Sequence, residues 1–557
     1  MRTGAWPGVV IVGFVALACG SGSEDAGGAG AAGGVSGPDA SGLDASGQGA
    51  GGGAGAATDA ASGGGGAGAT GGAAVDGSVA GSPIPANRLV PWSPGVSGGL
   101  PAPAAACPAS ASSVRDFGAL GDGITDDAPA FIAAIAAAVR GNAVRVPAGT
   151  YLVRGGLTID KGIVLCGEGP AVSRLLFEGD APGISIIKYD RGDFMPVRSG
   201  LTKGATELGV DDASGFIAGA YAEIQQTNDW SVMDPEVRWR NETWVPAASV
   251  GQVMRVTAIH GNTLVVDPPL SLDFDPAFAP VVRRLGLVEG AGLQGLYLAR
   301  NDTADQETVL IKNAASCWVR DCEGENTMRA HVAMESTLGN EVRDSYFHHA
   351  HDYGGGGHGY GVSLGLHVTA TLTENNLFVH LRHSMIAQTG ATLNVFAYNY
   401  SIDPFQNEGG NWTPCDISLH GHYANGNLYE GNTVQEVDVS DYWGATGPRN
   451  TFYRNRVEAE GIEVMDYSHG QNIVGNELGT GLDVLTIDST VTDTFVHGNY
   501  QNGAIGWDPA TANHTLPPSL FLGSKPAFFG STPWPATGAD LIPNGGKLPA
   551  QQRYESM

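Results

Sequence analysis

The sequence predicts an all-β fold, a parallel β-helix in which short strands coil into stacked rungs. Three observations predict it. Asparagine recurs at Asn376, Asn399, Asn432, Asn455, Asn476 and Asn499, at gaps of 23, 33, 23, 21 and 23 residues. Thr373, Phe396, Tyr429, Phe452, Ile473 and Val496 stand three places before them, and Phe378, Ser401, Val434, Val457 and Leu478 two places after the first five. These mostly apolar columns are what a stacked coil needs, because each rung buries its face on its neighbours. Finally, a helix-like segment precedes the repeats, and a stretch lacking their period interrupts them.

Residues 1–19 read as an export signal. Arg2 precedes the apolar run VVIVGFVALACG, too short to span a bilayer and of the length of a signal-peptide core. The ending ALAC resembles the lipobox of bacterial lipoproteins, with Cys19 as the lipidated residue, although Leu17 lies one place nearer the cysteine than usual. The expectation is an exported lipoprotein on the outer membrane or cell surface, touching membrane only through its lipid. Plain secretion after cleavage is the alternative. Residues 20–100 are largely Gly, Ala and Ser, with few large apolar side chains to offset ordering entropy, and are expected to form a flexible tether. Cys107, Cys166, Cys317, Cys322 and Cys415 follow. Their odd number leaves at least one without a partner in the chain, and none has the CxxC spacing of a zinc site.

In residues 114–153, VRDFGALGDGITDDAPAFIAAIAAAVRGNAVRVPAGTYLV, Asp126 or Thr125 can cap a helix with Phe131, Ile132 and Ile135 on its apolar face. Strands follow. This stretch closely resembles the N-terminal segment of pectate-lyase-like, rhamnogalacturonase/epimerase-like proteins. The resemblance implies a right-handed single-stranded parallel β-helix, an N-terminal capping helix that plugs the coil, and VPAGTY as the start of the first rung. Residues 110–189 would form the cap and first rungs. Residues 190–285 lack the period and read as an inserted β-subdomain, and 286–510 as the main β-helix. The Pro- and aromatic-rich tail, 511–557, is expected to cover the C-terminal opening, where a sheet edge would otherwise be exposed.

Charge narrows the partners. Against 57 Asp and Glu stand 29 Lys and Arg, a net charge of -28, so nucleic acid is not expected. The expected partner is a polysaccharide, met by a monomer. Ten of the fourteen histidines lie between His331 and His422. Registering rungs on Ser345 and Asn376 sets His349 beside His380, His351 beside Arg382 and Asp352 beside His383, about 4.8 Å apart. Counting back from the next marker puts Tyr360, His383 and Asp416 in one column and Asp438 with Arg382 in the neighbouring one. Such groups suit proton transfer on a sugar. For elimination from a uronate, His351, His383 or Tyr360 would take the proton while Arg382 neutralised the carboxylate. For hydrolysis, Asp352 with Asp416 or Asp438 would supply two carboxylates.

The segment GHGYGVSLG resembles the GHG segment of polygalacturonase-type hydrolases, which would make His358 an assistant to catalytic aspartates. The paired aspartates of that family are absent, HD at 351–352 standing instead. Trp412 and Trp443 are candidates for stacking on sugar rings. The pairs His349/His351 and His420/His422 each offer a half-site for a transition metal if extended. Calcium on surface carboxylates is an equal candidate. The expected activity is polysaccharide lyase or glycoside hydrolase chemistry, with epimerisation behind them, on a polysaccharide expected to contain uronic acid. The rival expectation is a non-catalytic surface β-helix that binds glycans or mediates adhesion.

Overall fold

The computed structural model describes residues 81–242, 245–410, 412–440, 443–479 and 484–557; the export signal, Cys19 and most of the tether lie outside them. The chain is a right-handed parallel β-helix. Its first sheet has twelve strands, running from Ser112–Ser113 to Phe495–His497. Their register places Leu372, Val395, Leu428 and Thr451 side by side. The rest of each rung forms a continuous 21-stranded sheet with two faces. Tyr346–Ala350, Leu377–Val379 and Tyr400–Ile402 belong to the second face. Tyr360–Leu364, His383–Ala387 and Ile417–Leu419 belong to the third. The long strand Thr433–Val439 serves both faces.

The asparagine column is a hydrogen-bonded ladder. Asn399 Oδ1 accepts from the backbone N–H of Asn376 at 2.9 Å and from its Nδ2 at 3.1 Å, and the pattern repeats to Asn499. Ser345 extends it upstream, its N–H donating to Asn376 Oδ1. A second ladder five residues earlier links Asn394, Asn427, Asn450 and Gln471. Together they satisfy both ends of the first-sheet strands from Val395–Ala397 to Asn472–Val474, where the backbone turns away from its rung neighbours. The residue before each marker takes a left-handed conformation, as at Asn375, Tyr398 and Gly431. A Cβ on Gly431 would stand 2.8 Å from the Tyr398 ring, so glycine fits this corner for space as well as for φ. Inside the coil, Phe396, Tyr429 and Phe452 stack at 4.9 and 5.0 Å.

Helix Ala128–Ala137 buries Phe131, Ala134 and Ile135 against the first rungs, with Phe131 5.4 Å from the Tyr151 ring. Ile132 does not join them: it is 53% exposed, because two further residues along a helix turn it to the opposite side from Ala130 and Ala134. The Asp126 carboxylate accepts the Ala128 N–H. Asp127 occupies the cap position itself, and its carboxylate instead holds Leu120 and Gly121.

Between Asp190 and Gly286 the chain builds a seven-stranded antiparallel sheet around its own core of Leu208, Ile224, Met254, Val256 and Leu264. It is pinned to the coil by buried Glu223, which pairs with Arg283 and lies 2.8 Å from His367 Nδ1. Burial alone would raise this carboxyl; His367 and Arg283 overcome it and hold it at about 2.

Two expectations about the flanks are corrected. Residues 82–100, expected within the tether, pack on the outside of the first sheet, burying Ile84, Val90 and Trp92 against Leu372, Val395 and Leu428. These few large apolar residues suffice because the sheet's outer face is itself apolar there. The tail does not sit over the C-terminal opening. It runs back along the same flank, burying Leu516, Leu520, Phe521 and Phe529 beside Tyr398 and Tyr453, and its last helix, Pro549–Glu555, docks on the second face near Tyr400. A disulfide joins Cys107 to Cys166; Cys317, Cys322 and Cys415 are buried.

Candidate active site

The histidine-rich turn between Ala350 and Tyr360 is held by its own contacts. Asp352 accepts from the N–H groups of Tyr353 and Gly354 and from Asn407 Nδ2, and lies 2.7 Å from His358 Nδ1. The other His358 nitrogen meets Asp305 at 3.1 Å, and Asp305 also pairs with Arg329. Asp352 is held below the ordinary carboxylate range despite some burial, through Asn407 and His358. His351 is exposed and reaches the carbonyl of Arg300 at 3.0 Å. Thus His351 does not face Arg382, nor Asp352 His383. The loop swings both outward before the chain regains register at Tyr360, and His358 staples the loop.

Tyr360 and His383 are in register on adjacent rungs, their rings 5.3 Å apart. The column then shifts by one. Met385 pairs with Ile417, which sets Cys415, not Asp416, against His383; the corner between Leu419 and Asn425 carries one residue more than the matching corner between Ala387 and Thr392. His383 Nδ1 lies 2.8 Å from the Cys415 carbonyl and 3.4 Å from its Sγ. Asp438 pairs with Ser418 and Glu463 and is not in the column of Arg382. Arg382 forms an ion pair with Glu408 at 3.0 Å and lies 5.5 Å from the Trp412 ring.

What the structure does bring together is on the outer side of the third face. His420 lies 5.9 Å from the His383 ring, 6.3 Å from Tyr360 and 5.5 Å from Trp443. Trp443 in turn meets Trp239 of the inserted subdomain at 4.4 Å. Alternation along a strand sends Asp416, Ser418 and His420 outward while Ile417 and Leu419 enter the core. The same alternation turns Glu436 and Asp438 outward between core residues Val437 and Val439. Asp416 is buried, accepting from Ser401 Oγ at 2.5 Å and from the N–H groups of Gln435 and Glu436. Burial outweighs these bonds and pushes it up to about 6. Glu436 is driven far above the ordinary carboxylate range by burial and by the charges of Asp438, Glu460 and Asp416. Glu463 is raised by burial and by Asp488.

The two metal half-sites do not form as expected. His349 is left-handed, with φ 56°, and its ring lies 5.0 Å from that of His380, tilted against it, while His351 engages Arg300. His422, also left-handed, is buried, whereas His420 borders Trp443. Neither stretch is extended, so its imidazoles do not share one strand face.

Sequence reasoning missed Glu436, Glu463 and Trp239. The signal for Glu436 was present in TVQEVDV, where acidic residues alternate with valines. No column analysis points to Trp239, because it comes from the subdomain outside the repeat.

Residues 111–225 match the family described as rhamnogalacturonase A/epimerase, pectate lyase-like. Mannuronan C5-epimerases AlgE5 and AlgE2 of Azotobacter vinelandii are 47% and 42% identical to the chain over 91 residues, 14% of this chain and 9% of each of those proteins. The matched stretch is thus less than a tenth of the length of these curated relatives. The tailspike protein gp49 of Pseudomonas phage LKA1 superposes with a TM-score of 0.51 at 16% identity, over 66% of this chain and 64% of that one. That likeness concerns the fold. With its asparagine-laddered rungs, capping helix and matched N-terminal segment, the chain is similar to pectate-lyase-like parallel β-helix proteins.

Proposed function

We propose that this protein is a polysaccharide-cleaving enzyme whose site lies on the outer side of the third face, and that it cleaves glycosidic bonds by hydrolysis. One observation carries the reading: Asp416, Glu436, Asp438 and Glu463 crowd on neighbouring rungs, and burial together with the neighbouring carboxylates holds the proton on Glu436 at neutral pH. A protonated carboxyl next to a carboxylate is the pair glycoside hydrolysis requires. Glu436 gives its proton to the leaving oxygen. Asp438 or Glu463, in register with each other, assists water or the anomeric carbon. Trp443, with Trp239 against it, supplies an aromatic face for a sugar ring. Curated relatives named as polysaccharide-modifying enzymes support a glycan as the partner.

The acidic floor also bears on the sugar. It repels uronates, and Arg382, the residue expected to neutralise them, is already matched by Glu408; neutral polysaccharide segments suit the site better. A second reading, β-elimination or epimerisation started by proton removal, is favoured by the cluster of Tyr360, His383 and His420 rings. A panel of neutral and uronate polysaccharides separates the two. New reducing ends without unsaturated product, lost in Glu436→Gln, support hydrolysis. Unsaturated or epimerised product that persists in Glu436→Gln overturns it. Glycan binding without any product, across the panel, returns the adhesion reading.

A further inference from the structure

A different cluster lies on the outer side of the second face. Glu323 and Glu325 alternate along strand Glu323–Thr327 and so project to one side. His348, on the next rung, is in register with Glu325. One ligand-capable atom from each of the three lies within 4.8 Å of the other two. His348 is buried, and its Nε2 stands 3.4 Å from Glu323 Oε1. Among the described residues no lysine or arginine forms an ion pair with either glutamate.

Each ligand is also oriented from behind. The Tyr297 hydroxyl donates to Glu325 Oε2, and His348 Nδ1 lies 2.8 Å from His349 Nδ1. If His348 donates its Nδ1 proton to His349, its Nε2 lone pair faces the carboxylates. That is the way outer partners fix the tautomer of a metal-ligating histidine. We propose that Glu323, Glu325 and His348 bind one divalent transition metal of the zinc class, with solvent completing the coordination. One imidazole nitrogen and two carboxylate oxygens are an ordinary donor set for such an ion. The ion pins two successive rungs together just before the 351–359 loop, and His349 is a positioning residue for His348. This assignment replaces the half-sites read from the HAH and HGH stretches with the neighbouring histidine of the first.

Titration calorimetry of the metal-free full chain with zinc chloride tests it, with calcium chloride as the comparison. One saturable zinc site is expected, and bound zinc should raise the melting temperature. His348→Ala should abolish binding, and Glu323→Gln with Glu325→Gln should do the same while keeping the imidazole. His349→Ala should weaken zinc by about 10- to 100-fold, the range for outer-shell partners, whereas Asp403→Asn, at an exposed carboxylate that pairs with His380, should not change it. Should His348→Ala fail to fold, the double glutamine variant decides alone. Absence of a saturable zinc site, zinc binding unchanged in these variants, or binding of calcium only, would each overturn the proposal.

Discussion

The turn at 351–359 and the outer side of the third face both concentrate titratable groups, yet those groups are differently placed. In the turn, every charged group has a specific partner: His358 stands between Asp352 and Asp305, and His351 reaches a carbonyl. Asp352 is accordingly stabilised as an anion. On the third face like charges are pressed together by a rung spacing of about 4.8 Å, and Glu436 is forced to stay protonated. Satisfied charges hold a loop; frustrated ones are poised to move protons. The histidines of the turn thus mark a region of paired charges, and the crowded carboxylates of the third face are spelled in plain acidic residues on strands.

The largest expected effect breaks this contrast directly. Glu436→Gln keeps the shape but cannot donate its proton, and kcat on a cleaved polysaccharide should fall by about 10²- to 10⁴-fold, the usual share of a general acid. His358→Ala should leave kcat near that of the parent protein and cost at most about 1 kcal/mol of stability, as for a partly exposed ion pair. Steady-state rates and urea melts of both variants check the pair. Equal loss of rate would erase the distinction between the two regions.

Next comes the ladder that holds both regions in place. Asn432→Ala removes the acceptor for the Asn399 N–H and its Nδ2, and the donor to the Phe396 carbonyl. Buried groups left without partners cost about 1–3 kcal/mol each, so the denaturant midpoint should drop clearly. The matching change Asn427→Ala in the second ladder should act alike. A negligible shift in either would mean that water replaces the amide.

How legible was all this? The first ladder could be read because asparagine at one corner repeats with apolar neighbours, and Tyr360 facing His383 followed from its register. The second ladder escaped notice because Asn394, Asn427 and Asn450 end in Gln471, and the columns around them are more varied. Asp416 and Asp438 fall outside the columns that a count back from the next asparagine gives, because the corners that follow Leu419 and Val439 carry extra residues. No repeat-based register can see how many residues a corner spends outside the sheet. The flank formed by residues 82–100 was hidden by its glycine-rich context, although Trp92 and Val90 are apolar enough to dock.

The first sheet offers a smaller contrast with the 351–359 turn, in the opposite sense of pH. Glu430, buried beneath the tail, accepts from Leu520 N–H and from the Tyr398 hydroxyl, and burial pushes it up to about 7. A carboxyl raised in the folded state contributes stability that is fully present below its unfolded value. That contribution is lost as pH rises through about 7. The span from the ordinary value of 4.5 corresponds to about 3 kcal/mol at most. Asp352, depressed in the folded state, acts the other way: its contribution is present above its unfolded value and lost on acidification through its folded one. Glu430→Gln can still accept from Leu520 while donating to Tyr398, so it should raise stability at pH 8 and change it little at pH 4. Asp352→Asn should leave pH 8 slightly less stable and flatten the acid limb. Thermal melts across pH 4–8 that showed the same slope in both variants would mean that neither buried flank nor exposed turn sets the pH response.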